Sequence, residues 1–222
     1  MKILTVIGAR PQFIKAAPVS KALAEQGIDE VLLHTGQHFD ANMSDVFFSE
    51  LKIPRPDVML DIHSGGHGAM TGRMLEAIEQ SLIEHQPDMV LVYGDTNSTL
   101  AGALAAVKLH IPLAHIEAGL RSFNMSMPEE VNRILTDRIS TILLCPTDTA
   151  VGNLKTENVP GRVVKTGDVM ADTLAFFKPK AVKPDGVPDA DFILCTCHRA
   201  ENTDDPDRMA QIVSALNTLH QD

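Results

Sequence analysis

Residues Met89–Thr96 read Met-Val-Leu-Val-Tyr-Gly-Asp-Thr. Five apolar residues in a row, closed by a glycine and an ionisable acid, suit a strand buried on both faces, as in a parallel sheet. An Ala-rich helical stretch follows over Thr96–Leu109, with Thr96 or Asn97 as its cap. The next apolar run, Leu113–Ile116, ends in Glu117-Ala118-Gly119. The same alternation extends in both directions. Upstream, Lys2–Gly8 predicts a first strand and Gln12–Gln26 a helix stopped by Gly27, with Pro18 kinking it or starting its main part. Glu30–Thr35 predicts a second strand that runs into Gly36-Gln37-His38, and a helical stretch covers Asn42–Leu51. Asp57–Ile62 reads as a weaker strand. Gly68–Gln86 reads as an amphipathic helix with Met70, Met74, Ile78, Leu82 and Ile83 on one stripe. Downstream, Pro128 sits at the first position of a helix running to about Ser140, with Glu129 and Glu130 in its first turn. Thr141–Cys145 and Arg162–Thr166 predict two further strands, around a short helix capped by Thr147 or Asp148.

Strands without strict alternation, each separated by a helix, specify an α/β fold: a Rossmann-like parallel sheet with helices on both faces. About six such units fit in residues 1–170. Residues 171–190, which include the Pro- and Lys-containing stretch Lys178–Pro188, read as a linker. The pattern restarts over 191–222 with a strand at Phe192–Thr196, a polar turn and a helix over Arg208–His220, the start of a second, incomplete Rossmann-like domain.

Composition narrows the function. The chain has 222 residues, 44% hydrophobic and 22% charged, an ordinary globular balance. Its formal net charge of −10 opposes general binding of nucleic acid or of an anionic membrane surface. No apolar run is long enough to span a bilayer. Aromatic residues are only 4% and Trp is absent, which leaves no aromatic platform for single-stranded nucleic acid. The 3 cysteines form neither a disulfide framework nor a C-x-x-C motif, so a reducing cytoplasm is the expected setting. His63 and His67 lack an evident third ligand, so no metal site is expected. The glycines around Gly66-His67-Gly68 miss the dinucleotide spacing and read as a loop opening a helix.

Open parallel sheets bind ligands beyond the carboxyl ends of their strands, and the polar clusters fall there. Gly8-Ala9-Arg10-Pro11-Gln12 follows the first strand, with Lys15 one turn on; a helix start with two cations suits an anion. Asp95 and Glu117 each follow an apolar strand directly. Asp95 has a plain alternative as a capping residue. With Glu129 or Glu130 brought in by the next loop, they would form a carboxylate cluster whose mutual repulsion tunes one member for acid–base work, moderated by Arg121 and Arg133. His198-Arg199-Ala200-Glu201-Asn202 closes the last strand, with His198 as a proton donor or phosphate contact.

Taken in order, Gly8–Lys15, Thr35–His38, Gly94–Thr96, Glu117–Arg121, Pro128–Arg133 and His198–Asn202 resemble the non-hydrolysing UDP-N-acetylglucosamine 2-epimerase family, across essentially the whole chain. The resemblance implies the first half of a glycosyltransferase-B-like two-domain fold. It implies interconversion of UDP-GlcNAc and UDP-ManNAc by elimination and re-addition of UDP through a 2-acetamidoglucal, with no cofactor. It places the catalytic groups at Asp95, Glu117, Glu129 (Glu130 second choice) and His198. It places substrate contacts at Arg10, Lys15, Gln37, His38, Arg121, Arg133, Arg199, Glu201 and Asn202. Asp40 stands where a second glutamine of an allosteric substrate site is expected, which argues against allosteric activation. The resemblance also implies a cytoplasmic homodimer in polysaccharide biosynthesis; the chain then reads either as truncated after its N-terminal part or as one whose cleft a partner chain completes, and by itself it is expected to bind UDP weakly and turn over little. Alternatives are 2-epimerisation of a related UDP-diacetamido-glucuronic acid, a glycosyltransferase of the same fold, and an inactive nucleotide-sugar-binding fragment.

Overall fold

The computed structural model describes residues 1–37, 54–197 and 200–221. The helix expected over Asn42–Leu51, and His38, His198 and Arg199, lie outside them. The chain divides into two compact units, Met1–Lys180 and Ala181–Asp222.

In the first unit the elements run β1 (Lys2–Ile7), α1 (Arg10–Glu25), β2 (Asp29–His34), β3 (Val58–Met59), α2 (His67–His85), β4 (Met89–Tyr93), α3 (Asn97–Lys108), β5 (Leu113–Ile116), α4 (Pro128–Ile139), β6 (Ile142–Cys145), α5 (Asp148–Thr156), β7 (Arg162–Lys165) and α6 (Val169–Phe177). The strands form one seven-stranded sheet in the order β3-β2-β1-β4-β5-β6-β7, every pair parallel. The order grows outward from β1 to β3, then returns to β4 beside β1 and grows the other way. The seam between β1 and β4 is therefore the topological switch point, where a crevice opens beyond the strands' carboxyl ends.

Both faces of the sheet are covered, which explains the unbroken apolar runs. On one face Leu4, Val6, Val31, Leu33, Val90 and Val92 pack under α2 and α3. On the other, Ile3, Ile7, Leu32, Leu91, Tyr93 and Ile116 pack under α1. Met74, Ile78 and Leu82 carry the buried stripe of α2, whereas Ile83 is exposed. Alanines let α3 lie close to the sheet: Ala101, Ala103, Ala105 and Ala106 are fully buried.

Three expectations are corrected. The weak strand over Asp57–Ile62 shrinks to Val58–Met59, because it lies at the sheet edge and, among the described residues, pairs only with β2 through Leu33 and His34. Residues 171–177, read as the start of a linker, belong to α6, which Asp168 caps by accepting from the Met170 N–H at 2.8 Å. No strand forms over Phe192–Thr196 among the described residues; Ile193 and Leu194 are exposed. A strand needs a neighbour for its backbone groups, and the described residues of the second unit, whose helices are α7 (Ala200–Thr203) and α8 (Pro206–Gln221), supply none.

Pro18 sits inside α1 without ending it. Proline has no N–H, so the Ile14 carbonyl loses its helical donor. The Thr173 hydroxyl of α6 lies 2.9 Å from that carbonyl and 2.9 Å from the Val169 carbonyl, and its one proton is shared between them. Thr173→Val keeps the volume and removes the donor. It is expected to lower stability by about 1 kcal/mol, the cost of a partly buried acceptor that loses its shared donor, read as a shifted denaturant midpoint at unchanged slope.

Candidate active site

The switch-point seam is closed by one buried amide. Gln12 Oε1 accepts the N–H groups of Gly8 (2.8 Å) and Ala9 (2.9 Å). Its Nε2 donates to the Tyr93 carbonyl (2.9 Å) and to Thr99 Oγ1 (3.0 Å). One side chain thus ties the end of β1 to the end of β4. Gly8 is pressed between neighbours: a Cβ there would lie 2.0 Å from Thr35 Oγ1 and 2.3 Å from Ser98 Oγ. Gln37 Oε1 in turn accepts the Ser98 N–H at 3.1 Å and its hydroxyl at 2.7 Å. The anion cradle expected at the start of α1 is therefore partly filled by the protein's own amide oxygen. Arg10, which is exposed, and Lys15 remain as the cations of this strand end.

Asp95 and Glu117 project from adjacent strand ends, after β4 and β5. Glu117 adopts φ +69°, a left-handed backbone that costs a non-glycine residue about 1–2 kcal/mol. Its carboxylate pairs with Lys15 of α1. Gly94, at φ +61°, lets this pair lie against the main chain: a Cβ there would sit 3.0 Å from Glu117 Oε2 and 3.2 Å from Lys15 Nζ. Asp95 pairs with Arg133 of α4. Its side chain keeps 29% exposure against 19% for Glu117, so solvent or a ligand can reach both. Asp95 does not cap α3; Thr96 does, accepting from the Thr99 N–H at 3.2 Å. The two acids thus form two adjoining ion pairs in place of the mutually repelling cluster expected from sequence.

The two glutamates of α4 separate sharply. Glu129 is exposed, on the first turn after Met127. Glu130 is 1% exposed and accepts from the N–H of Ser122 (2.9 Å) and Phe123 (2.9 Å) and from Arg133 Nη1 (2.9 Å). Burial alone would raise its carboxyl, but the Ser122 and Phe123 donors and the Arg133 charge hold it below the ordinary 4.5. Glu130 therefore anchors the loop before α4 and aims Arg133 at Asp95. A depressed carboxyl stabilises the fold fully above its unfolded value and loses that contribution as pH falls through the folded value. Glu130→Gln is expected to cost about 2 kcal/mol at pH 7. The gap from the unaltered chain should narrow as pH drops below 4.5, followed by denaturant titrations across pH 3–7.

Arg121 has a different place from the substrate contact expected. Its side chain is 1% exposed and its guanidinium is engaged inside the protein, by Asp137 Oδ2 at 2.7 Å and by both oxygens of Glu157 at 2.7 Å. Asn132 Nδ2 donates to the Asp95 carbonyl at 2.9 Å. Asn132 and Gln12 shape the site without having been singled out as its members, and Glu130, the second choice for the third acid, does so as a buried anchor. A polar residue at a buried helix position was the available signal. Glu201 and Asn202 lie in α7 of the second unit, with Asn202 half-buried. Among the described residues no group of His, Cys, Asp and Glu could hold a metal, and no helix is long and apolar enough to cross a membrane.

This arrangement can move protons with carboxylates beside cations suited to an anionic leaving group. Residues 21–222 match the family model described as UDP-N-acetylglucosamine 2-epimerase. The chain is 63% identical over 99% of its length to the UDP-2,3-diacetamido-2,3-dideoxy-D-glucuronate 2-epimerase of Pseudomonas aeruginosa, covering 63% of that protein. It is 51% identical over 97% of its length to a UDP-N-acetylglucosamine 2-epimerase homolog of Methanococcus maripaludis, covering 62% of it. Among solved structures, the Methanocaldococcus jannaschii UDP-GlcNAc 2-epimerase in complex with UDP-GlcNAc and UDP superposes with a TM-score of 0.90 at 43% identity, over 100% of this chain and 63% of that one. The chain thus spans less than two thirds of the length of these relatives.

Proposed function

Since the chain belongs to the UDP-N-acetylglucosamine 2-epimerase family, we propose that it supplies the acid–base groups of an enzyme that inverts C2 of a UDP-linked 2-acetamido sugar, with UDP-GlcNAc and UDP-ManNAc as the interconverted pair. The observation that carries this reading is the paired placement of Glu117 with Lys15 and Asp95 with Arg133 at the ends of neighbouring strands beside the switch point.

The reaction needs three things from such a site. The C2 hydrogen is a very weak acid, so its removal must accompany departure of UDP from C1, giving a 2-acetamidoglucal. A carboxylate within reach of C2 takes that proton, and a second acid–base group on the opposite face returns one as UDP re-adds to C1. Asp95 and Glu117, with Glu129 as the third acid, supply these groups. Arg10 and Lys15 face the diphosphate, whose negative charge grows as the C1–O bond breaks. Lys15 already contacts Glu117, so movement of charge at the leaving group is felt at that acid–base group. His198 as a proton donor or phosphate contact, and Arg199, Glu201 and Asn202 as substrate contacts, complete the proposed assignments. No redox or metal cofactor enters this scheme. The remaining assignments are a homodimer and a cytoplasmic enzyme supplying polysaccharide synthesis.

A second reading is favoured by the 63% identity to the diacetamido-glucuronate epimerase, against 44% to the M. jannaschii UDP-N-acetylglucosamine 2-epimerase. In that reading the site is the same and the sugar carries a C3 acetamido group and a C6 carboxylate. Assaying both nucleotide sugars with the complete gene product decides between them. The first reading expects kcat/KM for UDP-GlcNAc at least equal to that for the diacetamido glucuronate. A preference of a hundredfold or more for the latter transfers the assignment to it.

A further inference from the structure

His115 lies in the middle of β5, fully buried, opposite Val92 of β4. Its two ring nitrogens each face an oxygen. Nε2 is 2.7 Å from the Gly94 carbonyl, and Nδ1 is 2.7 Å from Asp137 Oδ1. A carbonyl can only accept. The Asp137 carboxylate already accepts at Oδ2 from the Gly119 N–H at 3.1 Å and from Arg121 Nη1 at 2.7 Å. Neutral imidazole has one donor and one acceptor nitrogen and would leave two acceptors facing each other; imidazolium has two donors and meets both.

Charge leads to the same result. Arg121 is one cation shared by two carboxylates, Asp137 and Glu157. A protonated His115 makes two cations against two anions, so the cluster is balanced where Asp137 and Arg121 leave water. Cys145 of β6 is a further titratable group beside Asp137 and Arg121. Burial, and then the Asp137 charge, push its thiol up to about 11, so it stays neutral and does not alter the count. Burial would raise the Asp137 carboxyl, but His115 and Arg121 hold it below the usual carboxylate range.

We propose that His115 is a buried positioning residue that donates from both ring nitrogens, clamped between Asp137 and the Gly94 carbonyl, and fixes the turn carrying Asp95. The carbonyls of that turn are held one by one from different elements: Tyr93 by Gln12 and Thr99, Gly94 by His115, Asp95 by Asn132. The Gly94 N–H bonds the Ile116 carbonyl at 3.0 Å. His115 holds the one peptide group of this turn that lies directly between the β4 strand end and Asp95, and it is two residues from Glu117. It touches no substrate; it sets where the two acids stand.

The catalytic half of this inference rests on the epimerase reading; the protonation half does not. With the 222-residue chain labelled with nitrogen-15 at histidine, two-bond proton–nitrogen correlation reads each ring directly, and His115→Gln identifies the signal. The expected result is that both ring nitrogens of His115 carry a proton, as its two acceptor partners require. A neutral tautomer at pH 7.5 overturns it. Hydrogen exchange of the Gly94–Asn97 amides should speed up at least tenfold in His115→Gln while β1 amides keep their protection; equal protection in both proteins overturns the positioning role. In the complete gene product, His115→Gln is expected to lower kcat at least tenfold with KM within twofold. Unchanged kcat per folded molecule contradicts positioning. Absence of turnover in the unaltered enzyme would instead count against the epimerase reading, with the nitrogen spectra and exchange rates still deciding the state and role of His115.

Discussion

Glu117→Gln and Asp95→Asn in the complete gene product each lower C2 epimerisation by about three orders of magnitude, within the range that loss of a positioned acid–base group produces. The substitutions are isosteric, so Lys15 and Arg133 keep an oxygen to donate to, and the melting temperature should move by only a few degrees. The effect should fall on kcat more than on KM, because the lost step is proton transfer. Glu129→Gln should also suppress turnover, whereas its exposed position predicts no loss of stability. Near-wild-type epimerisation by any two of the three variants would sink the assignment of the acids.

Gly8→Ala has the largest expected effect on the fold. The added methyl would sit 2.0 Å from Thr35 Oγ1 and 2.3 Å from Ser98 Oγ, and those two hydroxyls already hydrogen-bond each other at 2.8 Å. Neither is the far end of a flexible side chain, so β1, the end of β2 and the start of α3 must separate. The expected cost is about 3 kcal/mol or more, the upper range for overpacking in a buried site. Adding Thr35→Ala removes the nearest clashing atom. A double-mutant cycle should therefore show that Thr35→Ala costs less, by about 1 kcal/mol, in the Gly8→Ala background than in the unaltered chain. Simple additivity would show that the clash is relieved elsewhere.

Much of this site was legible in the sequence, for a physical reason. An apolar run closed by Gly-Asp or by a lone Glu reports local burial followed by exposure, and in a parallel sheet that transition marks the strand end where ligands bind. Asp95 and Glu117 are placed at strand ends in this way. The supporting residues are not, because their roles depend on which strands become neighbours. Gln12 matters because β1 lies beside β4, a contact across 81 residues. His115 reads as one polar residue in a short strand until Gly94 and Asp137 are placed on either side of it. Arg121 looked like a cleft cation because nothing local announces its partner, Glu157, 36 residues away. The strand expected at Phe192–Thr196 failed for the converse reason. An apolar run shows that a segment can pair, and pairing itself requires a neighbour. Helix α6 was missed although Asp168, followed by Val169, Thr173 and Leu174 at helical spacing, carried the signal.

Everything proposed for Asp95, Glu117 and Lys15 depends on breaking the C2–H bond of a UDP-sugar. The most direct measurement incubates UDP-GlcNAc with the complete gene product in deuterated water and follows the sugar C2 proton by NMR. Elimination and re-addition of UDP predicts that the C2 signal disappears as UDP-ManNAc forms, each product molecule carrying one solvent deuterium at C2. Product that retains its original C2 hydrogen, or a C2 signal that persists in both UDP-GlcNAc and the diacetamido glucuronate while either is bound, would contradict it.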